Sequence, residues 1–192
     1  MGAQLVDARQ LVRISKYLSL HLRHRPERLG LELGPGGWVE VDRLLAAVTR
    51  DGHPLTRAEL DEVVRGNDKQ RFSFDASGTR IRANQGHSVE VDLQLEPAEP
   101  PAVLYHGTGA GSAAAIRREG LRKMRRHHVH LSADIQTAQR VGARHGRPVV
   151  FAVDATAMRR AGHIFYRSSN GVWLTDQVPP AFLEPLTPEV TS

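Results

Sequence analysis

The stretch Leu95-Glu96-Pro97-Ala98-Glu99-Pro100-Pro101 constrains the fold more than any other feature of the chain. It has neither a helical nor an alternating apolar pattern, and each residue before a proline is pushed out of the helical region. No regular element can run through it. A chain of 192 residues must therefore build two small cores, one on either side. The expected division is a first lobe over residues 1–95, a linker over 96–102 and a second lobe over 103–192.

The first lobe opens with Leu11, Ile14, Leu18 and Leu22 at helical spacing, a buried stripe that Arg25-Pro26 should stop near His24. Gly34-Pro35-Gly36-Gly37 requires a turn, and Trp38-Val39-Glu40-Val41 alternates like a short strand. Asp42 is placed to cap a helix carrying Leu44, Leu45 and Val48. Thr56-Arg57-Ala58-Glu59 reads as a capping box for another. Arg71–Phe74 and Thr79–Arg82 then form a hairpin around Asp75-Ala76-Ser77-Gly78. Helix, strand, two helices and a hairpin is the order of a winged-helix module, although a fold alone proves no function. Trp38 and Trp173 read as core residues.

The second lobe has a different texture, with short strands separated by turns and small helices. Strands are expected at 103–106, 129–131, 149–153 and 172–174. Helices are expected at 113–118, closed by Gly120, and at 134–141, capped by Ser132 or Asp134. The fold class is therefore α+β.

Charge separates the lobes. Residues 1–96 hold 14 Lys/Arg and 14 Asp/Glu, whereas residues 97–192 hold 12 and 7, which supplies the whole net charge of +5. Six of those cations fall in residues 117–126. Such clustering is either a footprint for phosphates or a solvated helix face. The absence of cysteine excludes disulfides, thiolate nucleophiles and zinc–thiolate sites. No apolar run reaches membrane-spanning length, and residues 1–10 carry no secretory apolar core, so a cytoplasmic location is expected.

The groups with chemical potential are arginine and histidine. His106-Gly107-Thr108 follows a strand, where glycine allows either a close ligand approach or a structural turn. His128 and His130 share one face of a strand, with Val129 and Leu131 on the other. Two such histidines suit a metal, a ribose hydroxyl or a structural hydrogen bond, but no adjacent Asp, Glu or Cys completes a ligand set. Phosphate-loop, dinucleotide-fingerprint and Gly-x-Ser-x-Gly motifs are absent. Arginine is a fixed donor fork for phosphate and no base at neutral pH. Chemistry built on it concerns a phosphate that is itself the nucleophile, or one whose charge needs stabilising.

The chain resembles the tRNA 2′-phosphotransferase family. The resemblance is carried by Ser15-Lys16-Tyr17-Leu18-Ser19, Leu22-Arg23-His24-Arg25-Pro26, Gly37-Trp38-Val39, Arg71-Phe72 and Ile81-Arg82-Ala83-Asn84-Gln85-Gly86-His87-Ser88. It continues through Tyr105-His106-Gly107-Thr108, Arg126-His127-His128-Val129-His130-Leu131-Ser132 and Asn170-Gly171-Val172-Trp173-Leu174. This ordered set spans about residues 11 to 186. It implies an N-terminal winged-helix RNA lobe and a C-terminal ADP-ribosyltransferase-like mixed α/β lobe, with chemistry at their interface.

The family's essential tetrad falls on Arg23, His24, Arg71 and Arg126. NAD+ contacts are implied for His106, Gly107, Thr108, His130, Ser132, Asn170, Gly171 and Val172, and RNA contacts for Gln85, His87 and Ser88. No metal is implied. The superfamily's His-Tyr-Glu signature becomes His106, His130 and Val172, and the missing glutamate suits a phosphate acceptor that is already nucleophilic. NAD+ is then a consumed co-substrate. The RNA 2′-phosphate displaces nicotinamide to give an RNA 2′-phospho-ADP-ribose intermediate. This resolves to 2′-hydroxyl RNA and ADP-ribose 1″,2″-cyclic phosphate. The expected partners are tRNA-like RNA bearing a 2′-phosphate and NAD+, with no membrane and a monomeric enzyme. Two other readings stay open: ADP-ribosylation of terminal RNA or DNA phosphates, and a non-enzymatic winged-helix nucleic-acid binder. His127, Arg140, Arg144 and Arg147 are left as RNA or solvent contacts.

Overall fold

A computed structural model describes residues 7–66, 70–124 and 126–186. Arg125 of the basic run lies outside the described residues. The chain divides into two compact units, Met1–Gln94 and Leu95–Ser192. Residues 96–102, expected as a linker, are attached to the second unit, where Pro97 bridges Tyr166 and the Ala98 N–H donates to Phe165 O at 2.8 Å.

In the first unit, α1 (Ala8–His24) begins at Asp7, whose carboxylate accepts from Arg9 N, and buries Leu18 and Leu22 completely. Arg25 leaves the helix at φ −146° ahead of Pro26. A turn over Pro35–Gly37 leads into β1 (Val39–Glu40), which is shorter than the expected strand, and then α2 (Val41–Arg50). Asp42 is not the cap of α2. The strand enters the helix directly, so Glu40 occupies the cap position without a side-chain bond and Asp42 falls in the first turn. There its charge still complements the helix dipole.

Helix α3 (Arg57–Arg65) carries the full capping box, with Thr56 Oγ1 accepting from Glu59 N and the Glu59 carboxylate accepting from Thr56 N at 2.8 Å. Strands β2 (Phe72–Phe74) and β3 (Arg80–Ala83) pair antiparallel, and β1 adds to β3, giving the order β1-β3-β2. Leu18, Leu22, Leu44, Val48, Leu60 and Ile81 form the centre of this core. Truncating one of these leucines to alanine costs about 2–5 kcal/mol. Trp38 is not a core residue. Alternation sends Val39 and Val41 inward, so Trp38 faces the other way and stays half-buried.

The second unit runs β4 (Val103–Gly109), α4 (Ala110–Glu119), β5 (Leu121–Arg122), β6 (Val129–Leu131), α5 (Ile135–Gly142), β7 (Pro148–Asp154) and α6 (Ala155–Arg160). It ends with β8 (Tyr166–Arg167), β9 (Trp173–Thr175), β10 (Gln177–Val178) and β11 (Leu183–Leu186). Among the described residues these form three antiparallel sheets, ordered β11-β7-β4, β6-β9-β8 and β10-β5. A bridge between Tyr105 and Ser132 joins β4 to the end of β6 through bonds of 2.8 and 2.9 Å. Leu104, Leu131, Val153, Met158, Phe165 and Trp173 line the core. Asp134, one of the two expected caps, bonds Thr137 N at 2.7 Å to start α5. His106-Gly107-Thr108 lies within β4 rather than after it, because the strand continues pairing with β7 as far as Gly109.

Candidate active site

In the first unit, the end of α1 meets the segments flanking the β2–β3 hairpin. Arg23 lies in the last turn of α1 and His24 is its final residue. Arg71 immediately precedes β2, and its Nη1 donates to Ser15 Oγ at 3.0 Å. The Arg71 carbonyl accepts from Arg23 Nη2 at 3.5 Å and from Asn84 N at 2.9 Å. Asn84 Nδ2 also donates to Gln70 O at 2.6 Å, across a Gln70 backbone held at φ +40°. Ser88 closes the ring. Its N–H donates to Arg23 O at 2.9 Å, and its hydroxyl lies 2.8 Å from His24 Nδ1.

Arg23, His24, Arg71 and Ser88 are thus gathered from elements up to 65 positions apart in the chain (88 − 23). Two contributors were not foreseen as site residues. Ser15 is 4% exposed, and the signal for it was a serine on the buried face of α1, three and seven residues before Leu18 and Leu22. Asn84 stands in the motif Ile81–Ser88, but its role there was not legible, because its contacts are to backbone groups of a distant segment. Gln85 is half-buried. His87 is only 1% exposed and packs beside Gly37 and Leu93, whose atoms crowd the same spot. From that position the imidazole is an interior group and not a surface contact.

In the second unit, His106, Arg126 and His130 converge. His106 Nδ1 lies 3.1 Å from the His130 carbonyl, which can only accept, so the proton sits on Nδ1 and leaves Nε2 as an acceptor. Burial pushes the His106 pKa below its ordinary value. The bond to His130 O opposes that shift, and the Arg126 charge adds to it. Arg126 Nη1 lies 3.0 Å from His130 Nδ1. A guanidinium only donates, so His130 Nδ1 accepts and its proton is on Nε2. The pair therefore offers one imidazole acceptor and one imidazole donor. His128 is also held below its ordinary pKa, mainly by burial, and its ring lies 5.5 Å from that of Tyr166.

Gly107 is required by packing. A Cβ there would sit 1.7 Å from Ala138 O, so glycine is what lets α5 lie directly on β4. Thr108 is 9% exposed. Ser132 is spent on the bridge to Tyr105 through its backbone. Asn170, Gly171 and Val172 form a separate turn between β8 and β9. Gly171 adopts φ +80°, and Ser168 Oγ lies 2.7 Å from Asn170 Oδ1 and accepts from Val172 N at 3.0 Å. Among the described residues, no cluster of three His, Asp or Glu side chains can hold a metal, and no helix is long and apolar enough to cross a membrane.

Residues 9–177 match the family described as RNA 2′-phosphotransferase, Tpt1 / KptA family. A protein of Nostoc punctiforme named "Probable RNA 2′-phosphotransferase" is 64% identical over 175 residues, covering 91% of this chain and 97% of its own. Its namesake in Streptomyces griseus is 62% identical over 185 residues, covering 93% and 98%. That in Pseudomonas aeruginosa is 51% identical over 179 residues, with the same coverage of 93% and 98%. The matched span takes in both clusters, the one around Arg23 and Arg71 and the one around His106 and Arg126, and the chain belongs to the RNA 2′-phosphotransferase, Tpt1 / KptA family.

Proposed function

We propose that this protein removes a 2′-phosphate from RNA by transferring it to NAD+, which is consumed. Nicotinamide, 2′-hydroxyl RNA and ADP-ribose 1″,2″-cyclic phosphate are the products. The observation that carries the reading is the gathering of Arg23, His24 and Arg71 along the second half of α1, from Ser15 to its end. Two guanidinium groups and an imidazole, anchored by the Arg71 carbonyl and the hydroxyls of Ser15 and Ser88, form a set of donors suited to a dianionic phosphate. The order α1, β1, α2, α3 and a hairpin supports a winged-helix reading of the first unit. The packed antiparallel sheets of the second support an ADP-ribosyltransferase-like lobe.

The second unit's donor set fits NAD+. A ribose diol both donates and accepts, and His106 Nε2 and His130 Nε2–H supply the matching acceptor and donor. NAD+ brings the leaving group, nicotinamide, and the ribose that receives the phosphate. Arg23 and Arg71 bind the 2′-phosphate and neutralise charge as it transfers. His24, oriented by Ser88, moves the proton, and Arg126 stabilises the developing oxyanion. Gln85 and Ser88, outside the buried core, are the RNA contacts in this scheme, whereas His87 supports the loop from within.

The test is incubation with NAD+ and a 2′-phosphorylated oligonucleotide, following nicotinamide and both phosphorus-containing products. Release of cyclic phosphate together with 2′-hydroxyl RNA is the expected result. Accumulation of ADP-ribosylated RNA alone would instead favour a terminal-phosphate ADP-ribosyltransferase. No nicotinamide release with any phosphorylated RNA would leave a nucleic-acid-binding protein.

A further inference from the structure

Ile81 and Ala83 on β3 are fully buried, so Arg80 and Arg82 face away from the core. The two arginines are treated differently. Arg80 has a carboxylate, with Asp75 Oδ2 3.0 Å from its Nε. Arg82 forms no ion pair among the described residues, and the one influence on its pKa is burial, which lowers it. Its guanidinium is half-buried, lies 4.5 Å from the centre of the Trp38 ring and donates through Nη1 to Gly36 O at 3.3 Å. Its Nε is buried with no acceptor among the described residues.

The surroundings are shaped to hold this side chain. Gly36 takes φ +76°, and a Cβ there would lie 2.9 Å from the Trp38 ring. Glycine therefore lets carbonyl and indole reach the same guanidinium. Buried charges are normally paired with a counter-charge, and an aromatic face compensates only in part. A rigid, partly dehydrated guanidinium without a carboxylate is a position built for an external anion. It is also close to the Arg71 cluster: Arg82 pairs across the sheet with Ser73, two residues after Arg71, and stands two residues before Asn84, which bonds the Arg71 backbone.

We infer that Arg82, held over the Trp38 ring, is a second oxyanion-binding position that takes the RNA phosphodiester neighbouring the 2′-phosphate. The inference rests on the function proposed above. The same chemistry suits the diphosphate of NAD+, but Arg82 lies on the strand that leads to Asn84 and Ser88 of the phosphate cluster, which favours RNA.

The experiment compares two 2′-phosphorylated oligonucleotides, one with a natural adjacent phosphodiester and one with an uncharged methylphosphonate there. Wild type should bind the natural RNA more tightly. Arg82→Ala should weaken binding of the natural RNA by about tenfold or more, leave the methylphosphonate RNA unaffected and leave the KM for NAD+ unchanged. Arg82→Lys, which keeps the charge but loses the guanidinium fork, should fall between and secures the comparison if the alanine variant unfolds. Equal weakening toward both RNAs would overturn the inference in favour of a structural arginine. A raised KM for NAD+ with unchanged RNA affinity would overturn it in favour of the diphosphate. Failure of wild type to act on either RNA would sink the functional reading itself, before any variant is compared.

Discussion

A guanidinium has no acceptor atom, so the contact of Arg126 with His130 works only while His130 Nδ1 is unprotonated. Arg126 is itself exposed, and little stability depends on it. Arg126→Ala should therefore lower kcat/KM by about 10²–10³, the usual cost of losing one charge-stabilising donor, while the melting midpoint stays near that of wild type. Arg71→Lys should be nearly as damaging as Arg71→Ala, because a point charge cannot reproduce the fork that reaches Ser15 Oγ. His106 gives a pH signature. Its folded pKa lies below the ordinary 6.5, so the unfolded chain takes up a proton that the folded one refuses. Its contribution to stability is complete above pH 6.5 and is lost as the pH falls toward the folded value. Urea unfolding of wild type between pH 7 and 5 should show that slope. In His106→Gln it should shrink to what His128, shifted in the same direction, contributes.

Elements whose signals are local could be read directly from the chain. The capping box at Thr56 and Glu59 was one, and Thr56→Ala should destabilise the first unit by about 1 kcal/mol in urea unfolding. The stop of α1 before Pro26, the β2–β3 hairpin and the glycine end of α4 were others, each set by a proline, a turn sequence or a cap. Properties that depend on tertiary register were not legible. Asp42 missed the cap because β1 runs straight into α2. Trp38 left the core because Val39 took the inward position. His106-Gly107-Thr108 extended β4 because β7 offers pairing as far as Pro148. In the site, Arg23, His24 and Arg71 were recognisable by type and motif, whereas the roles of Ser15 and Asn84, although both stand inside the family motifs, depend on tertiary contacts to Arg71. The Asn84 amide reaches the carbonyl of a distant residue, Gln70, and such a contact leaves no pattern along the sequence.

At the scale of the whole molecule, the excess positive charge resides entirely in residues 97–192, since the first half balances to zero. RNA affinity should fall with salt, with a slope of log Kd against log salt near 0.7 per phosphate neutralised on a single strand. Fluorescence titrations at 50 to 300 mM salt would measure it, and a flat response would remove the basic half as an RNA surface. The seam between α5 and β4 reaches furthest beyond the site. A methyl at position 107 would overlap the Ala138 carbonyl, and one at position 142 would lie 2.8 Å from Thr108 O. The first collision is with rigid backbone and has no cheap relief, so Gly107→Ala should prevent folding of the second unit. The second is also with backbone but overlaps far less, so it strains the seam without barring it. Gly142→Ala should therefore give an enzyme that turns over at low temperature and fails on mild warming. A single added carbon would then act as a thermal off-switch, allowing the enzyme to be withdrawn from a living cell at a chosen moment.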